Sequence, residues 1–187
     1  MTRAGYVLTG GGSRRMGRDK AMLPYRGTVL AGWVAGCVEQ AAGNVCLVGG
    51  GEKYVHLGYP VLEESYGGMG PLSGIEAALG RGADWSLIVA CDMTGIESGH
   101  LGELFGEAER GDALAVYGRG SHGRAEPLCA VYHRDCLPAV RRMLAARELR
   151  VQTLLSVINA LAWTAEWVDQ LRNINTPGDW ASAKDRG

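Results

Sequence analysis

The sequence lacks a long apolar run, an excess of charge of one sign and an internal repeat. With 19 basic against 20 acidic residues and a net charge of −1, it has no overall field that would hold nucleic acid or an anionic membrane surface. No apolar run approaches the ~18 residues of a membrane helix, and the N-terminus shows no signal-peptide pattern. We therefore expect a cytoplasmic protein without a membrane span, folded as a single domain over residues 1–187.

The cysteines and histidines show none of the spacings that are typical of metal sites. The five cysteines are odd in number and include no C-x-x-C pair, and the four histidines include no H-x-x-x-H pair. This pattern favours buried thiols in a reducing compartment over a disulfide framework or a zinc site.

Short apolar segments alternate with segments of helical periodicity at least through residue 110. The predicted strands are 5–9, 44–48, 59–63, 85–92, 113–117, 127–132 and 161–168. The predicted helices are 29–42, a segment that starts at Pro71, 99–109 and 135–147. Such alternation predicts an α/β fold, a Rossmann-like doubly wound and mostly parallel sheet with helices on both faces.

A glycine-rich and basic stretch, LTGGGSRRMGRDK, follows the first predicted strand at residues 8–20. It is not the dinucleotide motif, because Arg15 stands where a third glycine is required, and it is not a P-loop, because Arg18-Asp19 replaces Lys-Ser/Thr. The stretch still offers the backbone N–H groups of 10–13, the planar donor fork of Arg15 and the point charge of Lys20. We interpret it as a triphosphate cradle, and the alternative is a surface turn with solvated arginines.

Carboxylates follow two other predicted strands. Asp92 ends the most apolar strand, and a carboxylate there costs free energy unless it is paired or holds a cation. We interpret Asp92 as a Mg²⁺ ligand; the alternatives are a helix N-cap or an ion pair with Lys20. Glu64 adds a second candidate carboxylate, unless it is simply solvated. Because the carboxyl ends of parallel strands meet at one edge, these residues and the glycine stretch are expected to share one crevice.

Four motifs together resemble a known family. LTGGGSRRMGRDK, GPLSGIEAAL, VACD and NINTPGDW are similar to the corresponding motifs of molybdenum cofactor guanylyltransferases (MobA) and their nucleotidyltransferase relatives. The resemblance spans residues 5 to about 183 and implies the nucleotidyltransferase fold, which is GT-A-like. The first motif alone would indicate only the broad superfamily.

The resemblance also implies roles for particular residues. The implied catalytic residues are Arg15, Lys20 and Asp92, with Asp92 as the Mg²⁺ ligand. The implied nucleotide-binding residues are Leu8, Thr9, Gly10, Gly11, Gly12, Lys20, Glu64, Gly70 and Asp92, and the implied acceptor-binding residues are Asn173 and Asn175. The alternative is that these asparagines only stabilise the loop before Pro177. The sequence departs from the family pattern at Thr9, where alanine is usual, at Val48-Gly49, where some members have an asparagine near the base, and at Thr94, where proline is usual.

The activity that this resemblance implies is transfer of GMP from GTP to the terminal phosphate of molybdopterin, or of molybdenum-loaded molybdopterin, with release of pyrophosphate. Mg²⁺ would be the cofactor, and transient contacts with other enzymes of cofactor biosynthesis or with enzymes that receive the product would follow. Two alternatives within enzymes are a cytidylyltransferase acting on the same cofactor and a sugar-1-phosphate nucleotidyltransferase. A third is a regulatory module that binds nucleotide without turnover.

Overall fold

The computed structural model describes residues 1–10 and 19–184 of the chain. The strands are β1 (Arg3–Leu8), β2 (Pro24–Tyr25), β3 (Thr28–Val29), β4 (Cys46–Val48), β5 (Val61–Leu62), β6 (Trp85–Ala90), β7 (Met93–Thr94), β8 (Ala115–Arg119), β9 (Ala125–His133), β10 (Ala160–Thr164) and β11 (Arg172–Asn173). The α-helices are α1 (Leu30–Ala42), α2 (Pro71–Leu79), α3 (Ser98–Arg110), α4 (Leu137–Ala145), α5 (Val151–Val157) and α6 (Pro177–Lys184).

Seven strands form the central sheet in the order β10-β8-β9-β6-β1-β4-β5. Strand β1 lies between β4 and β6 and is parallel to both, β4 is parallel to β5, and β8 is parallel to β10. Strand β9 is antiparallel to β6 and β8. The chain moves outward from β1 to β5 and then returns to β6 on the other side of β1, so the strand order switches direction at β1.

Both faces of the sheet are covered by helices, because the central strands are apolar on both sides. One core cluster joins α1 and α3 to the sheet, and Val7, Leu87 and Val131 lie on that face. The other joins α2, α4 and α5 to the opposite face, where Tyr6 and Ile88 lie. The predicted α/β doubly wound, mostly parallel sheet in a single domain is therefore confirmed.

The last predicted strand, 161–168, is too long. The strand ends at Thr164, and Glu166–Gln170 forms a 3₁₀ helix. Trp167 and Val168 are both buried although they are adjacent, which the alternation of an extended strand does not allow. The Trp167 ring stacks on His100, and its Nε1 donates to Glu103 Oε2 at 2.9 Å. The helical turn buries both apolar side chains.

The C-terminal segment returns to the end of β6. Strand β11 pairs antiparallel with β7, and Ile174 N donates to Asp92 O at 2.9 Å. Ile174 is fully buried in a small third cluster that also contains Leu23, Tyr25 and Leu30. Because successive side chains of an extended segment point to opposite sides, Asn173 and Asn175 point away from the cluster that holds Ile174.

Four of the five cysteines are buried, Cys46 is half-buried, and none forms a disulfide. These positions agree with the expected thiols. Among the described residues, no helix combines the length and the apolar character needed to cross a membrane.

Gly5 provides a test of the contact between α1 and the sheet. A Cβ at Gly5 would lie 2.4 Å from Val38 Cγ1 and 2.6 Å from the backbone oxygen of Asn44. We expect Gly5→Ala to lower the free energy of unfolding by on the order of 1–3 kcal/mol, because helix or strand must shift. At Gly36, also in α1, a Cβ would meet no described atom within 4 Å outside the backbone of its own helix. Gly36→Ala should therefore raise the free energy of unfolding by about 0.5–1 kcal/mol through helix propensity. Denaturant unfolding that ranks the variants in the opposite order would contradict this packing.

Candidate active site

A cavity of about 220 Å³ lies at the carboxyl ends of β1 and β6, where the strand order switches direction. Ligands of open α/β sheets bind at such a position. Six predicted site residues line this first cavity: Leu8, Thr9, Gly10, Lys20, Glu64 and Asp92. The other lining residues are Asp19, Ala21, Pro71, Ala90, Cys91 and Leu128. The sequence motifs thus converge on one crevice.

Lys20 connects the cavity to the C-terminal segment. Its Nζ lies 3.3 Å from Asp92 Oδ2 and 2.7 Å from Asn175 Oδ1. The Lys20 and Asp92 side chains are only 17% and 21% exposed, so their charges act with little screening by water. One cation therefore contacts two residues that the sequence assigned to different substrates.

Asp19 directs the chain before Lys20. The Asp19 carboxylate accepts from Ala21 N at 3.1 Å, which caps the short 3₁₀ helix Lys20–Met22. The same carboxylate accepts from the Tyr54 hydroxyl at 2.9 Å and pairs with Lys53 at 2.5 Å. Asp19 is held by Tyr54 and Lys53, while Lys20 pairs with Asp92.

Three strand ends meet around Glu64. A Cβ at Gly10 would lie 3.3 Å from Glu64 Oε1, and one at Gly74 would lie 3.2 Å from the same oxygen. A Cβ at Gly49 would lie 3.0 Å from the Cα of Gly10, and Gly49 has a φ of +82°. The glycines let the backbones approach closely. Burial raises the pKa of the half-buried Glu64 carboxyl above its ordinary value.

Thr9, one of the departures from the family pattern, bonds to the end of β4. Its hydroxyl Oγ1 lies 3.0 Å from Val48 O and 2.8 Å from Gly49 O, and it donates its one hydrogen to this pair of carbonyls. Its backbone N donates to Val48 O at 2.9 Å. Thr9 is buried, so the hydroxyl is satisfied and ties the β1 end to the β4 end.

Asp92 precedes β7 and not a helix, so the N-cap alternative is excluded. The ion-pair alternative describes a contact that exists, since Lys20 Nζ lies 3.3 Å from Asp92 Oδ2. In the described part of the chain, no three His, Cys, Asp or Glu side chains group closely enough to hold a metal ion by themselves. Mg²⁺ commonly takes one or two protein carboxylates and completes its shell with phosphate oxygens and water. Asp92 therefore suits such an ion when a nucleotide is bound.

The remaining predicted residues divide into two groups. Gly70 begins the turn into α2 with a φ of +71°, and its neighbour Pro71 lines the first cavity, so Gly70 lies beside the cavity rather than in its lining. Gly11, Gly12 and Arg15 lie outside the described residues.

A second cavity of about 410 Å³ lies beside β11 and α6. Asn173 lines it, as do Asp179, whose carboxylate accepts from Asn175 N at 2.9 Å, and Arg26 and Arg172. The segment with both predicted acceptor-binding asparagines thus borders the second cavity at Asn173 and contacts Lys20 of the first cavity through Asn175.

Sequence reasoning missed the contribution of β9. Pairing between β8 and β9 shifts register between Tyr117 and Gly118, whose partners are Ala130 and Glu126. The residues of β9 between these partners bulge, and Leu128 lines the first cavity. Glu126 is 5% exposed, and its carboxylate lies 3.5 Å from Asn173 Nδ2. The only sequence signal was Pro127, because proline inside a sheet often marks a bulge.

A family model for the MobA-like NTP transferase domain matches residues 5–163. The chain is 34% identical to a "Probable molybdenum cofactor guanylyltransferase" of Pelotomaculum thermopropionicum, over 96% of this chain and 91% of the relative. It is 32% identical to the molybdenum cofactor guanylyltransferase of Rhodobacter capsulatus, over 98% and 95%. The chain therefore belongs to the MobA-like NTP transferase family, and the prediction of a nucleotidyltransferase is confirmed.

The fold is also that of a solved structure from this group. The molybdopterin-guanine dinucleotide biosynthesis protein A of Archaeoglobus fulgidus superimposes with a TM-score of 0.83, covering 98% of this chain and 97% of that one, at 23% identity. This similarity supports the arrangement of the sheet and helices, and the family assignment rests on the sequence matches.

The raised pKa of Glu64 predicts a pH-dependent effect on stability. Because burial disfavours the charged form, the folded-state pKa lies above the unfolded value, and stability falls as pH rises through the folded pKa. We expect Glu64→Gln to raise the melting temperature at pH 7. It should have little effect below about pH 4, where the Glu64 carboxyl is neutral in both the folded and the unfolded chain. The exposed Glu52 supplies the control, and Glu52→Gln should show no such gain. A gain for Glu64→Gln that is equally large at both pH values would contradict the assigned cause.

Proposed function

We propose that this protein transfers GMP from GTP to the terminal phosphate of molybdopterin, with or without bound molybdenum, and releases pyrophosphate. The observation that carries the proposal is the contact of Lys20 Nζ with both Asp92 and Asn175. One ammonium group joins the cavity at the glycine-rich motif to the segment that borders the second cavity. A transferase needs such a junction, because the two substrates must meet at one phosphorus atom. The name of the Rhodobacter capsulatus relative supports the choice of guanine nucleotide and molybdenum cofactor.

The first cavity is proposed to bind GTP. Leu8, Thr9 and Gly10 border the nucleotide, and Glu64 lies against Gly10 at the end of β5. Lys20 offsets negative charge that moves onto the departing pyrophosphate, together with Arg15 and the amides of Gly10, Gly11 and Gly12. Gly70 contributes to the nucleotide site through the turn before α2.

The second cavity is proposed to bind the pterin part of the acceptor. Asn173 lines this cavity, and Asn175 contacts Lys20, which lines the first cavity. A terminal phosphate oxygen of the acceptor attacks the α-phosphorus of GTP, and the bond from that phosphorus to the bridging oxygen of pyrophosphate breaks. The acceptor phosphate is already ionised, so no protein group has to remove a proton. Catalysis then depends on positioning and on charge neutralisation.

Asp92 is proposed to hold Mg²⁺ together with phosphate oxygens of the bound substrates. The bound ion would supply positive charge at the phosphates, where negative charge is concentrated. Lys20 would then orient the Asp92 carboxylate before the ion binds. The proposed nucleotidyltransferase domain extends over residues 1–187, because Trp180 of α6 packs against the third cluster. The five thiols suit a location in the reducing cytoplasm.

Pyrophosphate release tests the proposal directly. Purified protein with Mg²⁺ is supplied with each of the four nucleoside triphosphates, against molybdopterin, molybdenum-loaded molybdopterin and a set of sugar 1-phosphates. We expect release only with GTP and a molybdopterin acceptor. Release with CTP would indicate a cytidylyltransferase, and release with a sugar phosphate would indicate a different acceptor class. GTP binding without release from any pair would indicate a binding module and contradict the proposal.

Asp92→Asn separates a metal ligand from a structural ion pair. The substitution keeps the shape of the side chain and removes its charge. We expect turnover to fall by on the order of 10²–10³ and excess Mg²⁺ to restore part of it, because metal affinity is lost. If Asp92 is only a structural partner of Lys20, the substitution should instead lower the melting temperature and leave the Mg²⁺ dependence unchanged.

The exposed Asp135 supplies the matched control. Its carboxylate is 66% exposed and lies 3.3 Å from His133 Nδ1. Asp135→Asn should leave turnover and Mg²⁺ dependence unchanged. An Asp92→Asn enzyme that is as active as this control, with an unchanged Mg²⁺ titration, would remove the metal from the proposed site.

A further inference from the structure

The bulge in β9 brings a buried carboxylate to the acceptor-side asparagine. The Tyr132 hydroxyl donates to the backbone oxygen of Pro127 at 2.7 Å, which fixes the bulged backbone from within the same strand. Glu126 precedes this proline and is 5% exposed. Its Oε2 lies 3.5 Å from Asn173 Nδ2 of β11. Two elements 47 residues apart in sequence thus meet through one polar contact.

The chemistry of Glu126 sets the direction of this contact. Arg124 Nε lies 2.7 Å from Glu126 Oε1, which favours the ionised carboxylate. An ionised carboxylate only accepts hydrogen bonds, so Asn173 must turn its NH₂ group toward it. The amide oxygen of Asn173 therefore faces away from Glu126.

The Asn173 oxygen is left with an unmet requirement. Among the residues that the structure describes, Asn173 Oδ1 is buried and has no hydrogen-bond partner. A buried amide oxygen without a donor is costly, so native proteins seldom keep one without a reason. Asn173 also borders the second cavity, so a ligand that enters there and displaces the atoms covering this oxygen can supply the missing donor.

We propose that Glu126 is a positioning residue, which orients the Asn173 amide so that its oxygen accepts a hydrogen bond from an N–H group of the acceptor substrate. The inference rests on the proposed function, since it presumes that the acceptor binds beside Asn173. It adds Glu126 to the residues of that function, and it states that the acceptor substrate donates the hydrogen bond at Asn173. The second cavity selects a ligand with an N–H donor at this point, and a ligand that offers only an acceptor there is rejected.

A structural role alone does not require these residue types. Burying a carboxylate costs free energy, and burial raises the pKa of Glu126 even though Arg124 opposes the shift. A glutamine at this position would hold the bulge with less cost, but its own NH₂ group could bond to the Asn173 oxygen. The carboxylate excludes that arrangement, because it has no hydrogen to donate.

Exchanging donor and acceptor across the contact tests the proposal. Glu126→Gln should raise KM for molybdopterin by about tenfold, the loss of roughly one hydrogen bond, with KM for GTP unchanged. Asn173→Asp places two carboxylates together and should raise it further. The double variant Glu126→Gln/Asn173→Asp restores one donor and one acceptor with the original net charge. It also leaves an oxygen where the Asn173 oxygen stood. We expect it to recover KM for molybdopterin to within about threefold of the wild type, since the accepting group is restored.

Glu109 supplies the control for losing an ion-paired glutamate. It pairs with Arg3 at 2.6 Å, at the opposite end of β1. Glu109→Gln should leave the KM values for both substrates unchanged. If the double variant shows no recovery, or if KM for GTP and the melting temperature change together with KM for molybdopterin, the positioning role is overturned.

A measurement without turnover separates this inference from the proposed function. In ¹⁵N-labelled protein, the side-chain NH₂ signals of Asn173 should shift in Glu126→Gln and stay in place in Glu109→Gln. Unmoved signals in Glu126→Gln overturn the contact itself, whatever the enzyme transfers. A third outcome is possible: the wild type releases no pyrophosphate with molybdopterin, but the Asn173 signals still shift in Glu126→Gln. This result would contradict the proposed acceptor and the ligand role of Asn173, and it would support the contact between Glu126 and Asn173.

Discussion

The parallel pairing of β1 with β6 is the constraint on which the rest of the site depends. The two strands are in register from Arg3 opposite Trp85 to Leu8 opposite Ala90, so their carboxyl ends stop at the same height. Thr9 and Gly10 follow one strand, and Cys91 and Asp92 follow the other, within one crevice. A register shift of one residue would turn Asp92 toward a core face and remove the charge from the cavity. The buried apolar residues on both faces of these strands hold that register.

The second half of the site is assembled from the far end of the chain. Ile174 is buried against residues of the β2–β3 hairpin and the start of α1, and its backbone N–H bonds to Asp92. The apolar residue fixes the segment, and the polar residues on either side contact Lys20 and Glu126. Packing and recognition are thus divided between alternate residues of a three-residue stretch. The stability of the hairpin and the position of the asparagines are coupled for the same reason.

The sequence predicted much of this arrangement, and its failures have physical causes. Local patterns identified the strands of the parallel sheet because those strands are apolar on both faces, and strand ends follow directly from such runs. The motif positions then placed Lys20, Glu64 and Asp92 in one crevice. The extent of β10 was wrong because Trp167 and Val168 look like strand residues, whereas the contact with His100 and Glu103 favours a helical turn. Glu126 was missed because its position arises from the pairing irregularity between β8 and β9, and because its partner Asn173 lies far along the chain.

The bulge divides β9 into two parts with different contacts, one with the sheet core and one with Asn173. The half of β9 that pairs with β6 continues to close the core, from Trp85 opposite His133 to Val89 opposite Cys129. The residues before it, including Glu126, follow a path set by their own extra length and by the Tyr132 hydroxyl. A change in the identity of residue 126 therefore acts on its contact with Asn173 and leaves the pairing of β9 with β6 in place. Such an arrangement lets the neighbour of Asn173 change without a change in the strand pairing that supports the core.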